Sequence, residues 1–367
     1  MAGRRSGHEI AMDDPFAGVD VDAIIASRRG EKRRRITEVL AEVKFTHVRS
    51  SRDNRFAEQF EAAVDEMLIQ PRRRTQDDFG EPSGAGNRPR LEKPEGFLFF
   101  VTGESGAGKT FMVRRYLERS EEFAPIVLKE GVINPVVSVR APSPCTLQRL
   151  GLRILVAMGD NPKPDLPENR IWERLGRFAR SRRVKIVHID EAQHLARTLK
   201  SVNEQQAVAN ALKDLVESDT WPVSFIMSGI PLANVISQVD EQIERRSFFF
   251  ALPSLDMEQS GDRAVVREIV ERLAGAKAGL DVSNITGSEM LDRLAHAANY
   301  QIGRIAQIVR YAIRAALQRD ADCLTVNDFV QGYCQHSHAR GLRDYNPFLA
   351  AHWENLDPGS FIIPEED

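Results

Sequence analysis

Residues 96–111, GFLFFVTGESGAGKTF, decide how the rest of the chain is read. The apolar run at 97–102 has the pattern of a short buried strand, and it stops at a glycine-rich turn. That turn, Gly103-Glu104-Ser105-Gly106-Ala107-Gly108-Lys109-Thr110, fits the phosphate-loop spacing G-x-x-x-x-G-K-[ST]. A helical pattern carrying Phe111, Met112, Tyr116 and Leu117 follows, so the motif sits between strand and helix as its chemistry requires. Glycines let backbone N–H groups turn inward around phosphate oxygens, and the helix N-terminus adds partial positive charge. The expected ligand of residues 103–110 is ATP with Mg²⁺: Lys109 reaches the β and γ phosphates and the Thr110 hydroxyl ligates the metal.

Downstream, Lys185-Ile-Val-His-Ile-Asp190-Glu191 is an apolar strand ending in two carboxylates, and it resembles a Walker B motif. Strands of a parallel sheet carry their ligands at the C-terminal edge, which puts these acids beside the phosphates. Asp190 is expected to hold the Mg²⁺ shell and Glu191 to polarise the attacking water. Further strands are expected at 136–139, 223–227 and 248–252, with 184–189 as the Walker strand, and helical patterns separate most of them. Alternation of this kind predicts an α/β core with a parallel sheet covered on both faces. After Pro253 the strands stop, and helices at 258–275, 288–298, 303–319 and 325–334 predict a compact C-terminal helical lid.

Ahead of the core, Ile36, Val39, Leu40 and Val43, then Phe56, Phe60, Ala63, Met67 and Leu68, recur at helical spacing and predict an N-terminal extension of two amphipathic helices. Residues 71–93, rich in Pro, Gly and charge, read as a flexible loop. The expected organisation is an extension over 1–94, a nucleotide-binding core over 95–255, a lid over 256–336 and a tail over 337–367. The basic run Arg28-Arg29-Gly-Glu-Lys32-Arg33-Arg34-Arg35 reads as a solvated helix face or a contact for DNA or an acidic partner. The tail, with Asn346-Pro347-Phe348-Leu349 and Trp353, is expected to expose apolar groups for docking to another protein.

The formal net charge of −3 argues against a uniformly basic nucleic-acid binder without excluding a local patch. Cys145, Cys323 and Cys334 lack C-x-x-C spacing and are expected to be reduced; Cys334-Gln-His336-Ser-His338 matches no zinc pattern. With no membrane-length apolar run and no apolar segment behind the N-terminal arginines, the expectation is a cytoplasmic protein.

A P-loop core followed by a helical lid resembles the AAA+ class. By that resemblance Ser228, at the tip of the strand over 223–227, occupies the sensor 1 position, and Arg304, after Gly303 on a lid helix, that of sensor 2. One of Arg245 and Arg246 stands where the class carries an arginine that reaches a neighbouring subunit's γ-phosphate. The blocks GESGAGKT, HIDEAQHL, NALKDLVE (210–217) and SFIMSGIP, with the Arg245-Arg246 pair, together resemble the TniB/TnsC family of transposition regulators over about 95–335.

That resemblance implies ATP-dependent assembly on double-stranded DNA as a homo-oligomeric ring or helical filament, marking of a target site, and recruitment and activation of a transposase. A TniQ-type targeting protein is a typical further partner. It also implies DNA contacts after the second core strand, where Arg140, Thr146 and Arg149 are the candidates for salt-sensitive backbone binding. The alternative is a secretion or assembly ATPase of the ExeA type, which shares the core motifs and does not act on DNA. A nucleotide-gated scaffold without turnover fits less well, since such a switch does not need Glu191.

Overall fold

The computed structural model describes residues 18–68, 95–129, 131–336 and 345–359. The expected loop over 71–93, His338 and both ends of the chain lie outside the described residues. The N-terminal helices are α1 (Val21–Ser27), α2 (Glu31–Phe45) and α3 (Ser51–Leu68). The core runs β1 (Leu98–Gly103), α4 (Lys109–Arg119), β2 (Ile126–Leu128), β3 (Gly131–Ile133), β4 (Val136–Arg140), α5 (Leu147–Ala157) and α6 (Glu168–Arg182). It continues with β5 (Ile186–Asp190), α7 (Gln193–Ala196), α8 (Val202–Val216), β6 (Ser224–Gly229), a 3₁₀ turn (Pro231–Val239), α9 (Glu241–Arg245) and β7 (Ser247–Leu252). The C-terminal helices are α10 (Ser260–Val270), continuing as a π-helical stretch (Glu271–Lys277), α11 (Ser288–Ala297), α12 (Ile302–Gln318) and α13 (Val326–His336).

All five expected strands form one parallel sheet in the order β4-β5-β6-β1-β7. β1 is buried along its whole length because its alternate residues face two different cores. Leu98 and Phe100 join Val187, Phe225 and Met227 under α5, α6 and α8. Phe99 and Val101 join Ile186, Ile226 and Phe250 on the opposite face, under α3 and α4. The register aligns Arg140 with Asp190, Asp190 with Ser228, and Ser228 with Val101, so one row across the sheet's C-terminal edge collects the expected polar residues.

The two N-terminal helices expected to form an extension pack in different places, α3 on one face of the sheet and α2 on the C-terminal helices. Phe56 and Phe60 of α3 are buried edge-on against Phe99, Tyr116 and Phe250, which closes one face of the sheet. Leu40 and Val43 of α2 belong to the cluster formed by α10–α13. An amphipathic pattern shows that one face is buried without showing what covers it.

Three other features depart from the sequence reading. The antiparallel β2–β3 hairpin was not foreseen, its strands being three residues each. A π-helical stretch extends the first lid helix. The tail expected to present free apolar groups at 346–349 instead seals the lid. Phe348 is buried against Phe329 and Tyr333, and Arg293 Nη1 donates to the carbonyls of Pro347 (2.7 Å) and Ala350 (2.9 Å). Asn346 is fully buried and its Oδ1 accepts from Phe348 N–H at 3.0 Å, so a polar side chain holds the turn that inserts the ring. Only Leu349 of this group is half-exposed.

Truncating Phe348 to Ala therefore removes a ring from the lid core and is expected to cost about 3 kcal/mol. Hydrogen exchange of α12 and α13 is expected to accelerate accordingly, and unchanged protection would place the tail outside the lid's cooperative unit.

Candidate functional site

The glycine loop between β1 and α4 takes a shape that only glycine holds comfortably: Gly106 and Gly108 have φ of +85° and +94°. Lys109 Nζ donates to the carbonyls of Gly103 (2.7 Å) and Glu104 (2.9 Å), which keeps the ammonium over the loop that Ser105, Gly106 and Ala107 complete. The lid stands directly on this loop. Gly303 N–H donates to Gly106 O at 2.8 Å, a Cβ on Gly303 would lie 2.6 Å from that oxygen, and a Cβ on Gly106 would lie 2.5 Å from Arg304 Cγ. Arg304 is thus brought to the phosphate loop by the first turn of α12.

At the first turn of α4, Thr110 Oγ1 lies 2.9 and 3.0 Å from the two oxygens of Asp190. Ser228 Oγ donates to Asp190 Oδ1 at 2.7 Å. A hydroxyl and a carboxylate converging beside a phosphate loop fit the partial shell that Mg²⁺ takes when nucleotide phosphates and water complete it. Among the described residues no cluster of three or more His, Cys, Asp or Glu offers an all-protein metal cage.

His188 completes this arrangement and was not singled out by the sequence. Its Nε2 is 2.9 Å from Ser228 Oγ and its Nδ1 is 3.2 Å from Ser138 Oγ. Since Ser228 gives its hydrogen to Asp190, Nε2 carries the proton that Ser228 accepts, and Nδ1 accepts from Ser138. Burial pushes the imidazole down to about 4, so it is neutral near pH 7. The available signal was one polar residue inside an apolar strand, on the same face as Asp190 two positions later.

Glu191 follows with φ of +58°, a left-handed backbone that turns its side chain out of the strand line. Its Oε2 accepts from Gln193 Nε2 at 2.5 Å, and its Oε1 is 3.6 Å from Arg140 Nη2. Gln193 is buried, and its Oε1 accepts from Ile230 N–H at 3.3 Å. A Cβ on Gly229 would lie 2.4 Å from that oxygen, so the Ser228-Gly229 turn is shaped around Gln193. This second residue missed by the sequence reading locks the acid at the end of β5 to the loop after β6.

The remaining candidates separate. Arg246 is held within its own chain by Glu95 (2.8 Å), Glu217 (3.2 Å) and the carbonyl of Gln242 (2.9 Å). Arg245 is 72% exposed and, among the described residues, pairs with Glu241, one turn earlier on α9. Of the three candidate DNA contacts, Thr146 caps α5 by accepting from Arg149 N–H at 3.2 Å, and Arg149 donates to Pro144 O at 2.9 Å. All three are exposed, and Arg140 is the one that touches the site, through Glu191.

Beside Gly108 lies a cavity of about 220 Å³ with walls from the α2–α3 segment (Val48, Arg52), from α4 (Phe111) and from the lid (Leu273, Ile302). Its apolar walls and its position next to the phosphate loop suit the base of a nucleotide.

Residues 93–236 match the family model described as an AAA domain. No curated protein matches the chain. Among solved structures, the Aeropyrum pernix ORC2 protein in its ADP form is similar with a TM-score of 0.55 at 14% identity, over 79% of this chain and 71% of that one. The A. pernix ORC1 protein in complex with DNA gives 0.52 at 18% identity, over 82% and 69%. The ORC2 protein in its ADPNP–ADP complexes gives 0.46 at 16% identity, over 68% and 64%, so this chain spans 64–71% of the lengths of these relatives.

If Gln193 holds the acid in place, Gln193→Ala is expected to lower kcat about 10-fold or more while leaving nucleotide affinity within about twofold. Steady-state hydrolysis beside equilibrium nucleotide binding checks this, and a loss confined to binding would refute it.

Proposed function

We propose that this chain, an AAA+ ATPase by its matched domain and its fold, is a DNA-binding regulator that assembles on target DNA and recruits and activates a transposase. The observation that carries the assembly step is the contrast between the neighbouring arginines. Arg246 is committed to its own chain, whereas Arg245 is held by one exposed pair that water and salt weaken readily. A planar cation exposed at the end of α9 is suited to a neighbouring copy's γ-phosphate. One copy supplying Arg245 to the next makes a heterologous contact, which closes into a ring or runs on as a filament.

The geometry of the site supports the following assignment of roles. Thr110 and Asp190 would hold Mg²⁺, which when bound would offset the charge of the β and γ phosphates. Lys109 and the loop N–H groups bind those phosphates, Arg304 reports their presence to the lid, and Ser228 steadies Asp190. Glu191, set by Gln193, accepts the proton of the attacking water. Arg140 ties DNA to this step: a phosphodiester that draws Arg140 away leaves Glu191 free to meet the water.

Three variants test the assignment. Lys109→Ala is expected to abolish nucleotide binding and assembly together. Glu191→Gln is expected to bind ATP, hydrolyse it at least about 100-fold more slowly and remain on DNA. Arg245→Ala is expected to lose at least about 100-fold in hydrolysis with nucleotide affinity kept, whereas Arg246→Ala is expected to act chiefly on stability. The deciding experiment is negative-stain imaging with duplex DNA, comparing a non-hydrolysable ATP analogue with ADP. Rings or filaments only with analogue and DNA together support the proposal; discrete particles indifferent to DNA favour the ExeA-type ATPase instead.

A further inference from the structure

Ahead of Arg304 the backbone passes through two consecutive left-handed residues, Asn299 at φ +51° and Tyr300 at φ +56°. Neither is glycine, so this turn is strained and persists only where its surroundings hold it. Three holds come from the core and lid: Tyr300 O accepts from Leu255 N–H at 2.8 Å, Gln301 Nε2 donates to Ser254 Oγ at 2.8 Å, and Gly303 N–H reaches Gly106 O. The fourth comes from the tail. Gly359 N–H donates to His296 O at 3.1 Å, and a Cβ on Gly359 would lie 2.8 Å from Asn299 Cβ, so the tail rests on the turn itself. Its φ of +67° and this close approach both require glycine. A few residues earlier the tail is fastened by the buried His296, whose Nε2 donates to Leu356 O at 2.8 Å while its Nδ1 accepts from the Tyr300 hydroxyl at 3.2 Å. Burial pulls this imidazole below its ordinary pKa, which favours the neutral ring with one donor and one acceptor. Trp353 stands edge-on to the same ring, with centroids 5.1 Å apart. One side chain thus ties the tail to the strained turn.

Arg304 lies between the phosphate loop and this tail. Its Cγ is 2.5 Å from where a Cβ on Gly106 would stand, and its Nη1 is 3.5 Å from where a Cβ on Gly359 would stand. Among the described residues no hydrogen bond or ion pair holds its guanidinium, so packing sets its direction. We propose that residues 353–359 form a strap that positions Arg304, with Gly359 as the positioning residue: seated on Asn299 and beside Nη1, it keeps the guanidinium aimed along the phosphate loop. A strap that favours the aimed arginine is in turn favoured by any ligand that the aimed arginine binds, so strap closure and γ-phosphate binding strengthen each other. This inference rests on the reading of Arg304 as the residue that meets the γ-phosphate, and its test separates the two.

The measurement is the affinity of the full chain for a non-hydrolysable Mg-ATP analogue relative to Mg-ADP, in the wild type, Arg304→Ala, Gly359→Ala and the double variant. Arg304→Ala is expected to lower this ratio about 10-fold or more, because it removes a charged contact that only the γ-phosphate makes. In Gly359→Ala either the turn shifts or the tail lifts, and Arg304 loses its backing both ways; the expected loss in the ratio is about 3- to 10-fold. In the double variant the ratio is expected to stay within about twofold of that of Arg304→Ala, since the glycine acts through the arginine. A merely structural glycine would weaken both nucleotides alike, and an unchanged ratio in Gly359→Ala, or losses that add in the double variant, would overturn the inference while leaving the reading of Arg304 intact. If Arg304→Ala leaves the ratio unchanged, that reading falls and this inference with it. The wild type alone gives a second test that needs no variant to fold. Hydrogen exchange at Gly359 N–H is expected to be at least about threefold slower with the ATP analogue than with ADP, and equal rates would overturn the inference.

Discussion

The hydrogen bond from Thr110 to Asp190 fastens the first turn of α4 to the end of β5, and every other part of the site is placed relative to it. Thr110 is where it is because the loop from β1 must turn through two left-handed glycines before α4 can start. Asp190 is where it is because β5 pairs with β6 in a register that sets it opposite Ser228, whose hydroxyl binds it from the side. A slip of one residue in that pairing would send Asp190 to the other face of the sheet and leave Thr110 with no carboxylate. The fully buried aromatic residues of β1 and β6 hold the register, since Phe99 and Phe225 belong to different cores and cannot exchange faces without exposing both.

From that row the network extends inward through His188 and outward through Glu191. The neutral imidazole supplies Ser228 with a hydrogen bond in a place where a charged partner would compete for Asp190. Ser138, on the edge strand β4, closes the chain at the surface. Glu191 leaves the strand with a backbone that L-residues adopt rarely, and such a conformation persists only when its surroundings over-determine it. Gln193 provides that constraint by binding both Glu191 and the backbone after Gly229.

How much of this was legible in the sequence depends on how local each signal is. The phosphate loop and the Walker strand are contiguous motifs whose residue types follow from the chemistry, and the five core strands were expected within about two residues of where they lie. Contacts between distant segments were not legible. The spacing of Phe56 and Phe60 announced a buried helix face but not that the sheet would be its partner, and Phe348 looked like a free apolar group because Phe329 and Tyr333 are brought to it only by folding. His188 and Gln193 were passed over for a shared reason: a single polar residue inside an apolar or helical pattern carries no spacing from which to infer its partner. Their significance appears only when the atoms they face are known.

The Arg140–Glu191 contact has consequences for how such a site can be regulated. At 3.6 Å, with Arg140 65% exposed, the pair is long and wet, and pairs of this kind contribute little to stability. Weakness is what a switch element requires, because a contact of several kcal/mol could not be exchanged for another without a ligand of matching differential affinity. Gln193 is different in kind: it is buried, so solvent competes less for the hydrogen bonds it makes to Glu191 and to the backbone of Ile230. The acid is therefore fixed on its buried side and loosely held on its exposed side. Under the proposed reading this asymmetry lets the exposed partner change while the acid keeps its position, so that a phosphate reaching Arg140 alters the charge facing Glu191 without displacing its carboxylate from the site.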